Sequence, residues 1–477
     1  MSNLDENLAF ASATELRALI ADREITSIEL TELYLSRIEA LDDQLHSFLT
    51  VTPEIALDQA AKADAATAKG ESLGPLHGLP ISIKDLQMTK GVRTTGGSLA
   101  YKDRVPDANA AYIDKIFDAG AVMLGKTNTP EFGHLGTSDN RLGPPCGNPW
   151  NPERTSGGSS GGAGASLAAG LCALATGGDG GGSIRIPASF SGIYGIKPTQ
   201  GRVSSYTGTD GPPAANLFSQ QGPMSRTVAD SALLLQVMAG YDPRDPSSMR
   251  DPVPDFTAAV GRDIEGLKFG WSLGWGYAAV DPDVAVAAEA GAKVFEGIGC
   301  TVNESDIGLD APFNTWYVLS AANAVAANGH LLEDHADDLT WYVRYGLEHG
   351  QKLTTSDFGR ALGERDRMIQ QFWDEFDKFD LLLSPTMATT AFEHEQYPEE
   401  IGGEPATCIP WWGYLPHTHP INTIGFTAAS VPCGFDSDGM PIGLHIVGKP
   451  GDEETVLAAS AAFEQARPWA HLRPMVS

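Results

Sequence analysis

The sequence predicts an α/β fold with a largely buried sheet, organised as one large domain. Short apolar runs of strand length alternate with longer segments in which apolar residues recur at helical spacing. Of the 477 residues, 42% are hydrophobic and 19% charged, a globular composition with room for a large core. No charged or Pro/Ser-rich linker divides the chain, and the Asp- and Pro-rich stretch 241–254 is short enough to be an internal loop.

The first 70 residues are predicted to be helical. Ser12 with Glu15, and Thr26 with Glu29, have the spacing of capping boxes, in which side chains satisfy free N–H groups at a helix start. Buried strands are predicted at 79–83, 121–124, 171–175, 381–383 and 442–447. Further helices are predicted at 227–239, 284–298, 358–376 and 453–466.

The chain is strongly acidic. It has 61 Asp and Glu against 32 Lys and Arg, which gives a formal net charge of −29 at pH 7. This charge repels nucleic-acid phosphates and anionic membrane surfaces, so neither is an expected partner. Solubility or adaptation to salt explains the acidity without any ligand.

The cysteines and the N-terminus favour a reducing compartment. Five widely spaced cysteines form no Cys-x-x-Cys pair, so neither a disulfide framework nor a zinc site is predicted. The first residues lack a secretory signal pattern, and no run approaches the ~18 to 20 apolar residues of a membrane span. We therefore expect a cytoplasmic protein, and no metal or other cofactor is predicted.

The segment 155–187 is the most unusual part of the sequence. It has two clusters rich in glycine and serine, 157–162 and 179–185, around an Ala-rich, apolar stretch, 163–175, that is predicted to contain one helix. A flexible linker would not contain such an apolar stretch. A phosphate-binding loop would end in Lys-Ser or Lys-Thr, which is absent here.

Residues 157–161 also match the Gly-x-Ser-x-Gly nucleophile elbow, with Ser159 as its nucleophile. That motif requires a strand of the central sheet directly before it, whereas the preceding residues 148–154 contain two prolines. An elbow-type esterase on Ser159 is therefore the less favoured alternative.

A serine nucleophile at position 159 or 183 needs a base within hydrogen-bond reach, and no histidine lies between His134 and His330. Lys84 is the candidate base, because the predicted buried strand 79–83 ends at this lysine. Burial favours the neutral amine that a general base requires. The alternative is a surface lysine paired with Asp85.

Ten short motifs follow one another along the chain. They are Gly-Leu-Pro-Ile-Ser-Ile-Lys-Asp at 78–85, Thr-Gly-Gly-Ser at 95–98, Gly-Lys-Thr-Asn at 125–128, Glu-Phe-Gly at 131–133, the cluster 157–162, Gly-Gly-Ser-Ile-Arg at 181–185, Gly-Ile-Lys-Pro-Thr at 195–199, Gly-Pro-Met at 222–224, Arg-Thr-Val-Ala-Asp at 226–230 and Ser-Val-Pro at 430–432. In the order and spacing of these motifs, the chain resembles the amidase signature family, the Ser-cisSer-Lys hydrolases, over nearly its whole length.

The resemblance implies an architecture and a set of catalytic roles. It implies one amidase signature domain over 1–477, in which helices cover both faces of a central twisted mixed β-sheet. Within this domain we expect an N-terminal helical layer at 1–70, a catalytic core at 75–240 and a substrate-pocket half at 255–477. Ser183 is the implied nucleophile, Ser159 the bridging serine on a cis peptide bond and Lys84 the base, with Ser160 in support.

The second glycine cluster is expected to form an oxyanion hole. Its backbone N–H groups can turn inward because three successive residues lack side chains, and a preorganised donor of this kind stabilises the tetrahedral intermediate. The expected donors are Gly180, Gly181, Gly182 and Ser183. Asp179 and Arg185 are expected to tie the loop together by hydrogen bonds. The chain departs from the family pattern at Gly180 and Leu86, neither of which removes a catalytic group.

The C-terminal half gives the only indication of the substrate. No Arg lies between Met368 and Ala466, whereas a glutamine carboxylate is best held by an Arg fork. The loop around 408–414 offers aromatic side chains for a neutral, flat or apolar ligand. The expected substrate-binding residues are Trp411, Trp412 and Tyr414, with packing into the core as the alternative. His417 and His419 lack a third ligand, so no metal site is predicted.

We therefore expect a serine hydrolase that cleaves linear amide bonds of small molecules through an acyl-enzyme, with broad tolerance for apolar or aryl groups. The alternatives are a urethane (carbamate) or ester hydrolase of the same family, and an ammonia-donating glutamine amidotransferase subunit. A homodimer is common among relatives and is possible here.

Overall fold

Strands and helices alternate along the chain in this computed structural model, which describes residues 6–208 and 218–477. The strands are β1 (Phe48–Val51), β2 (Pro80–Lys84), β3 (Val122–Thr127), β4 (Gly147–Asn148), β5 (Asn151–Thr155), β6 (Leu174–Asp179), β7 (Tyr194–Lys197), β8 (Gln220–Ser225), β9 (Lys268–Trp271), β10 (Thr301–Glu304), β11 (Leu381–Pro385), β12 (Glu400–Ile401), β13 (Glu404–Pro405), β14 (Thr427–Phe435) and β15 (Pro441–Gly448).

The α-helices are α1 (Ala13–Ala21), α2 (Ser27–Leu45), α3 (Pro53–Lys69), α4 (Ala111–Asp118), α5 (Gly161–Ala168), α6 (Arg185–Ser191), α7 (Val228–Met238), α8 (Phe256–Ala259), α9 (Pro282–Gly297), α10 (Pro312–Asn328), α11 (Leu331–Asp334), α12 (Trp341–Gly350), α13 (Thr355–Phe376), α14 (Pro410–Gly413), α15 (Thr418–Ile424) and α16 (Glu453–Ala466). Short 3₁₀ helices lie at Glu6–Phe10, Leu99–Tyr101 and Glu131–Gly133.

Eleven strands of the described chain form one central mixed sheet in the order β1-β3-β2-β6-β8-β7-β14-β15-β11-β9-β10. Neighbouring strands are parallel from β3 through β2 to β6 and from β11 through β9 to β10. The strands between these two parallel sections pair antiparallel. Helices flank the sheet, so the predicted single α/β domain with a mixed sheet is confirmed.

Most predicted elements are present, with shifted ends. Both N-terminal capping boxes form, at the starts of α1 and α2. The predicted helix 453–466 is observed with the same bounds, as α16. The helix predicted between the two glycine clusters is present as α5, which ends at Ala168, and the strand predicted at 171–175 is present as β6, which begins only at Leu174. Gly170 lies between them at φ +66°, a left-handed conformation that ends a helix and suits glycine.

The sheet topology positions the candidate site. Strands β2 and β6 are parallel neighbours, with Ser82 opposite Ala175, so their carboxyl ends meet at one edge of the sheet. Lys84 is the last residue of β2 and Asp179 the last of β6. Ligand sites of α/β proteins commonly lie at this edge. Within the described ranges, none of the helices has the length and apolarity to cross a bilayer.

Candidate active site

Lys84 is fully buried, as the strand pattern predicted, and it faces the first glycine cluster. Its Nζ lies 2.7 Å from Ser159 Oγ, 2.8 Å from Ser160 Oγ and 3.2 Å from the carbonyl oxygen of Gly178. Burial lowers the pKa of Lys84 from 10.5 to about 7, although the charge of Asp179 opposes this change. The alternative of a surface lysine paired with Asp85 is therefore wrong.

The three contacts of Lys84 match the hydrogen-bonding capacity of a neutral amine. Such an amine has two N–H donors and one lone pair. The carbonyl of Gly178 can only accept, and Ser160 Oγ already accepts from the Gly178 N–H at 3.2 Å. If the amine donates to these two oxygens, its lone pair remains for the hydroxyl proton of Ser159. This geometry lets Lys84 take a proton from Ser159.

Ser159 follows a cis peptide bond with Gly158, as the resemblance implied. The glycines around it are in close contact with neighbouring backbone. A Cβ on Gly158 would collide with the carbonyl of Thr137, and one on Gly162 would collide with the backbone of Asn128. The cluster is therefore a tightly packed turn leading into α5, not a flexible linker. The preceding strand β5 belongs to a small two-stranded sheet, so the elbow motif lacks its central strand.

Ser183 follows β6 and lines the same cavity as Ser159. Within the described residues, no hydrogen bond joins the two hydroxyl groups, while the backbone N–H of Ser160 donates to the carbonyl of Ser183 at 3.1 Å. Catalytic hydrogen bonds of free enzymes are often long and tighten only when substrate binds. Ser183 and Ser159 thus line one cavity, and Lys84 contacts Ser159, an arrangement compatible with a proton relay.

The oxyanion-loop prediction needs one correction, at Gly182. The N–H of Gly182 donates to Asp179 Oδ1 at 2.7 Å, so it does not point to the cavity. The carboxylate stands directly behind the loop because Asp179 ends β6. In the described chain, the N–H groups of Gly180, Gly181 and Ser183 have no acceptor. These three remain the candidate oxyanion donors.

Asp179 and Arg185 form a fully buried ion pair behind this loop, as the resemblance implied. Arg185 donates from Nε to Asp179 Oδ2 at 2.9 Å and from Nη2 to Oδ1 at 3.0 Å. Burial alone would raise the pKa of Asp179, but the facing Arg185 and further partners lower it to about 2. Arg185 also donates to His445 Nε2 at 2.9 Å and to Asn422 Oδ1 at 2.6 Å. A buried ion pair and its hydrogen bonds therefore support the loop from behind.

Side chains of helices α10 and α15 donate hydrogen bonds to backbone carbonyl groups of the loop. Trp316 on α10 donates from Nε1 to the carbonyl of Gly180 at 2.7 Å. Thr418 on α15 donates from Oγ1 to the carbonyl of Gly181, also at 2.7 Å. Asn422 donates to the backbone carbonyl of Asp179 at 2.7 Å. Residues distant in sequence thus position the candidate oxyanion loop.

A cavity of about 210 Å³ opens at Ser159 and Ser183. None of the described residues that line it is an Asp, Glu, Lys or Arg. His134 contributes no charge, because burial lowers its pKa to about 4. The aromatic lining residues are Tyr112, Phe132, Phe218, Trp316, Tyr317, Tyr342, Trp411 and Trp412. The cavity suits a neutral ligand with an apolar or aryl group.

The comparisons with known proteins show the family of this chain. The family model described as Amidase matches residues 29–457. The chain belongs to the amidase signature family.

Two curated members of the family match almost the full chain. A glutamyl-tRNA(Gln) amidotransferase subunit of Thermosynechococcus vestitus is 38% identical, over 97% of this chain and 99% of the relative. The acylamidase of Rhodococcus erythropolis is 35% identical, over 98% of each chain. Among solved structures, a bacterial aryl acylamidase of the amidase signature family superposes with a TM-score of 0.90 at 33% identity, covering 97% of both chains.

Two of the three aromatic residues predicted to bind substrate in this amidase family member line the cavity. Trp411 and Trp412 contribute to its wall, whereas Tyr414 is not among the residues that line it, and its role in substrate binding stays a prediction. Tyr414 is fully buried and packs edge-on against Phe392, with 4.8 Å between ring centroids. Trp411 and Trp412 lie in the short helix α14, and Tyr414 follows it, where the backbone directs its ring into the core.

Sequence reasoning missed the contribution of helices α10 and α12 to the site. Helix α10 supplies Trp316, Tyr317 and Asn323 to the cavity wall, and α12 supplies Tyr342. The only signal in the sequence was the density of aromatic residues in these helices, which is equally typical of core packing. His417 and His419 are both buried, and the described residues contain no cluster of ligands that could hold a metal.

Proposed function

We propose that this family member hydrolyses neutral amides with aryl or bulky apolar groups through an acyl-enzyme on Ser183. The observation that supports this proposal is the cavity at Ser183, whose described lining is aromatic and free of formal charge. Apolar and aromatic walls bind neutral groups, and the few polar groups then fix their orientation. The similarity to a bacterial aryl acylamidase supports the same substrate class.

The chemistry begins with Lys84 as a neutral amine. Lys84 takes the proton of Ser159 while Ser159 takes the proton of Ser183, whose Oγ attacks the amide carbonyl carbon. The negative oxygen that forms is stabilised by the N–H groups of Gly180, Gly181 and Ser183. The proton then returns along the relay to the amine nitrogen as the C–N bond breaks. Water opens the acyl-enzyme by the same route.

The second candidate is the glutamine-hydrolysing component of an amidotransferase, which the 38% identity to a glutamyl-tRNA(Gln) amidotransferase subunit favours. Free glutamine carries a carboxylate and an ammonium group. A carboxylate is best held by an arginine fork, and no Arg is present among the described residues that line the cavity. Carbamates and esters of aryl groups would fit the same cavity and are the alternatives within the hydrolase class.

The test is a kinetic comparison of the purified protein on an acyl nitroanilide, the matching ester and carbamate, and glutamine. We expect the highest kcat/KM among the amides for the nitroanilide, and loss of turnover in Ser183→Ala. Peptide mapping after treatment with a fluorophosphonate should show one adduct, on Ser183. Hydrolysis of glutamine alone, or activity that requires a co-purifying partner, would contradict the proposal. An adduct on Ser159 would favour the elbow-type esterase.

A further inference from the structure

Among the described residues, Trp316 is the one cavity residue of α10 that hydrogen-bonds to the catalytic loop. It is 4% exposed, and its Nε1 donates to the carbonyl oxygen of Gly180 at 2.7 Å. Its ring also lies against the next residue, because a Cβ on Gly181 would come within 2.6 Å of Trp316 Cζ2. One side chain therefore fixes both the carbonyl of residue 180 and the backbone path of residue 181.

The geometry of the peptide unit links this contact to the direction of the Gly181 N–H. In a trans peptide, the carbonyl of one residue and the N–H of the next point in opposite directions from a rigid plane. Trp316 draws the carbonyl of Gly180 to its own side, and the N–H of Gly181 must then point the other way. That N–H is one of the three without an acceptor in the described chain.

The following peptide unit is held by a different pair of groups. Thr418 donates to the carbonyl of Gly181, and the N–H of Gly182 donates to Asp179. Both ends of that unit are therefore occupied by protein groups. In the unit between Gly180 and Gly181, only the carbonyl end is occupied, so its N–H is left for a ligand.

We propose that Trp316 is a positioning residue, which orients the N–H of Gly181 toward the oxyanion that forms during hydrolysis. The inference rests on the proposed function and deepens it. Since the oxyanion is common to all acyl groups, this role of Trp316 does not depend on the substrate. A residue that only lines the wall would instead affect aryl and small substrates differently.

The test compares Trp316→Phe with a matched control, Trp469→Phe. Trp469 is also buried, at 5% exposure, and its Nε1 donates to the carbonyl of Arg226 at 2.8 Å, but it does not line the cavity. Removal of a complete oxyanion donor costs about 10² to 10³ in rate, so we expect misorientation of one donor to lower kcat roughly 10- to 100-fold.

Three readouts distinguish positioning from packing. In Trp316→Phe, kcat should fall by the same factor for an aryl amide and a small aliphatic amide, with KM nearly unchanged. Affinity for a trifluoromethyl ketone, which forms a tetrahedral adduct with serine, should fall by a similar factor. Trp469→Phe should retain the wild-type kcat. Replacement of Trp316 by its benzothienyl isostere, which keeps the ring volume and lacks the N–H, should reproduce the loss if Trp316→Phe folds poorly.

A wild-type kcat in the isostere, or a loss confined to the KM of aryl substrates, would overturn the inference and leave Trp316 as a wall residue. These results would leave the proposed function intact. A wild-type protein that hydrolyses neither amide nor ester would instead overturn the proposed function itself.

Discussion

Lys84 shows how burial can favour the neutral form of a side chain that is ordinarily charged. Lysine is normally charged at neutral pH, and desolvation disfavours that charge. Here the amine is fully buried among two serine hydroxyls and a carbonyl, all of which a neutral amine can satisfy. Its reactivity therefore follows from the end of one strand and the packing of one glycine-rich turn.

The first prediction concerns the pH dependence of hydrolysis. Because the pKa of Lys84 is lowered to about 7 and the neutral form is the base, kcat/KM should rise up to about pH 7 and level off above it. Lys84→Ala should lower the rate about 10²- to 10⁴-fold, since a general base contributes that much. Near-native turnover in this variant would contradict the relay. The measurement is a pH profile of kcat/KM.

The second prediction concerns stability. Between about pH 7 and 10.5 the amine of Lys84 is neutral in the folded protein and protonated in the unfolded chain. The unfolded state binds more protons there, so the free energy of unfolding rises with pH, by about 1.4 kcal/mol per unit for one such group. Lys84→Met should remove this contribution to the slope, as measured by urea unfolding.

Lys126 provides a matched control for both experiments. It is also fully buried, burial lowers its pKa to about 7, and it does not line the cavity. Lys126→Met should reduce the rise of the free energy of unfolding with pH in the same way. It should keep the rise of kcat/KM near pH 7. An unchanged slope in both variants would mean that these lysines are not neutral in the folded protein.

The residue scale also shows where sequence reasoning stops. Lys84, Ser159 and Ser183 were predicted from their motifs, because family spacing fixes them. Tyr414 could not be distinguished from Trp411 in sequence, since the two differ only in the direction in which a short helix points them. The occupied N–H of Gly182 depends on the position of Asp179, which only the folded loop reveals.

At the scale of elements, the proposed oxyanion loop is a segment that its neighbours hold from several sides. Helix α10 holds one carbonyl, α15 holds the next, and the end of β6 supplies the carboxylate behind them. The sequence predicted the loop itself and missed the two helices, because Trp316 and Thr418 each lie more than a hundred residues from it along the chain. No local pattern encodes such a contact.

The third prediction tests the tight fit of this loop. Gly182 has φ +129°, and a Cβ there would collide with Thr418 Oγ1. Gly182→Ala should therefore displace the loop and lower kcat at least as much as loss of one oxyanion donor, about 10²-fold. Gly439→Ala is the control, because it also has a positive φ, of +80°, but open space around it. Equal activity of both variants would contradict a tightly fitted loop.

The fourth prediction concerns helix α14. Trp411 lines the cavity and is supported edge-on by Trp341 at 5.2 Å and Tyr345 at 5.5 Å. Trp411→Ala should lower kcat/KM for aryl amides roughly tenfold, about 1.4 kcal/mol of aromatic contact, and affect small aliphatic amides less. Equal effects on both substrate classes would assign Trp411 to the core.

Tyr414→Phe is the matched control for Trp411→Ala. The hydroxyl of Tyr414 is buried without a hydrogen-bond partner in the described structure, and the ring does not line the cavity. Its removal should leave the ratio of aryl to aliphatic kcat/KM unchanged and should not lower the melting temperature. A changed ratio would restore Tyr414 as a substrate contact.

At the scale of the whole molecule, the fold was predictable and the substrate was not. The alternation of apolar runs and helices predicted an α/β domain with a buried sheet, and motifs spread over the chain predicted its family. These features depend on local pattern and on spacing. The cavity depends on how α10, α12 and α14 meet over the sheet edge, which involves long-range packing of side chains that no periodicity specifies.

The fifth prediction concerns net charge. A charge of −29 destabilises the compact state through self-repulsion, and salt screens that repulsion. The melting temperature at neutral pH should therefore rise between about 0.02 M and about 0.5 M NaCl, over which the screening length falls several-fold. Sucrose of equal osmolality separates screening from general solute effects. A melting temperature that stays constant or falls with NaCl would contradict the prediction.

The proposed reacting groups and the aromatic residues of the cavity wall come from different parts of the chain, which has a consequence for protein engineering. The proposed reacting groups lie between residues 84 and 183, while most of the aromatic wall comes from 316–412. A designer could therefore exchange wall helices between relatives to obtain new substrate ranges on an unchanged reaction centre. Trp316 limits this freedom, because the helix that shapes the wall also holds the catalytic loop. A transplanted α10 would have to bring an N–H donor at that position. Without this donor, we expect a variant that binds its substrate well to hydrolyse it slowly.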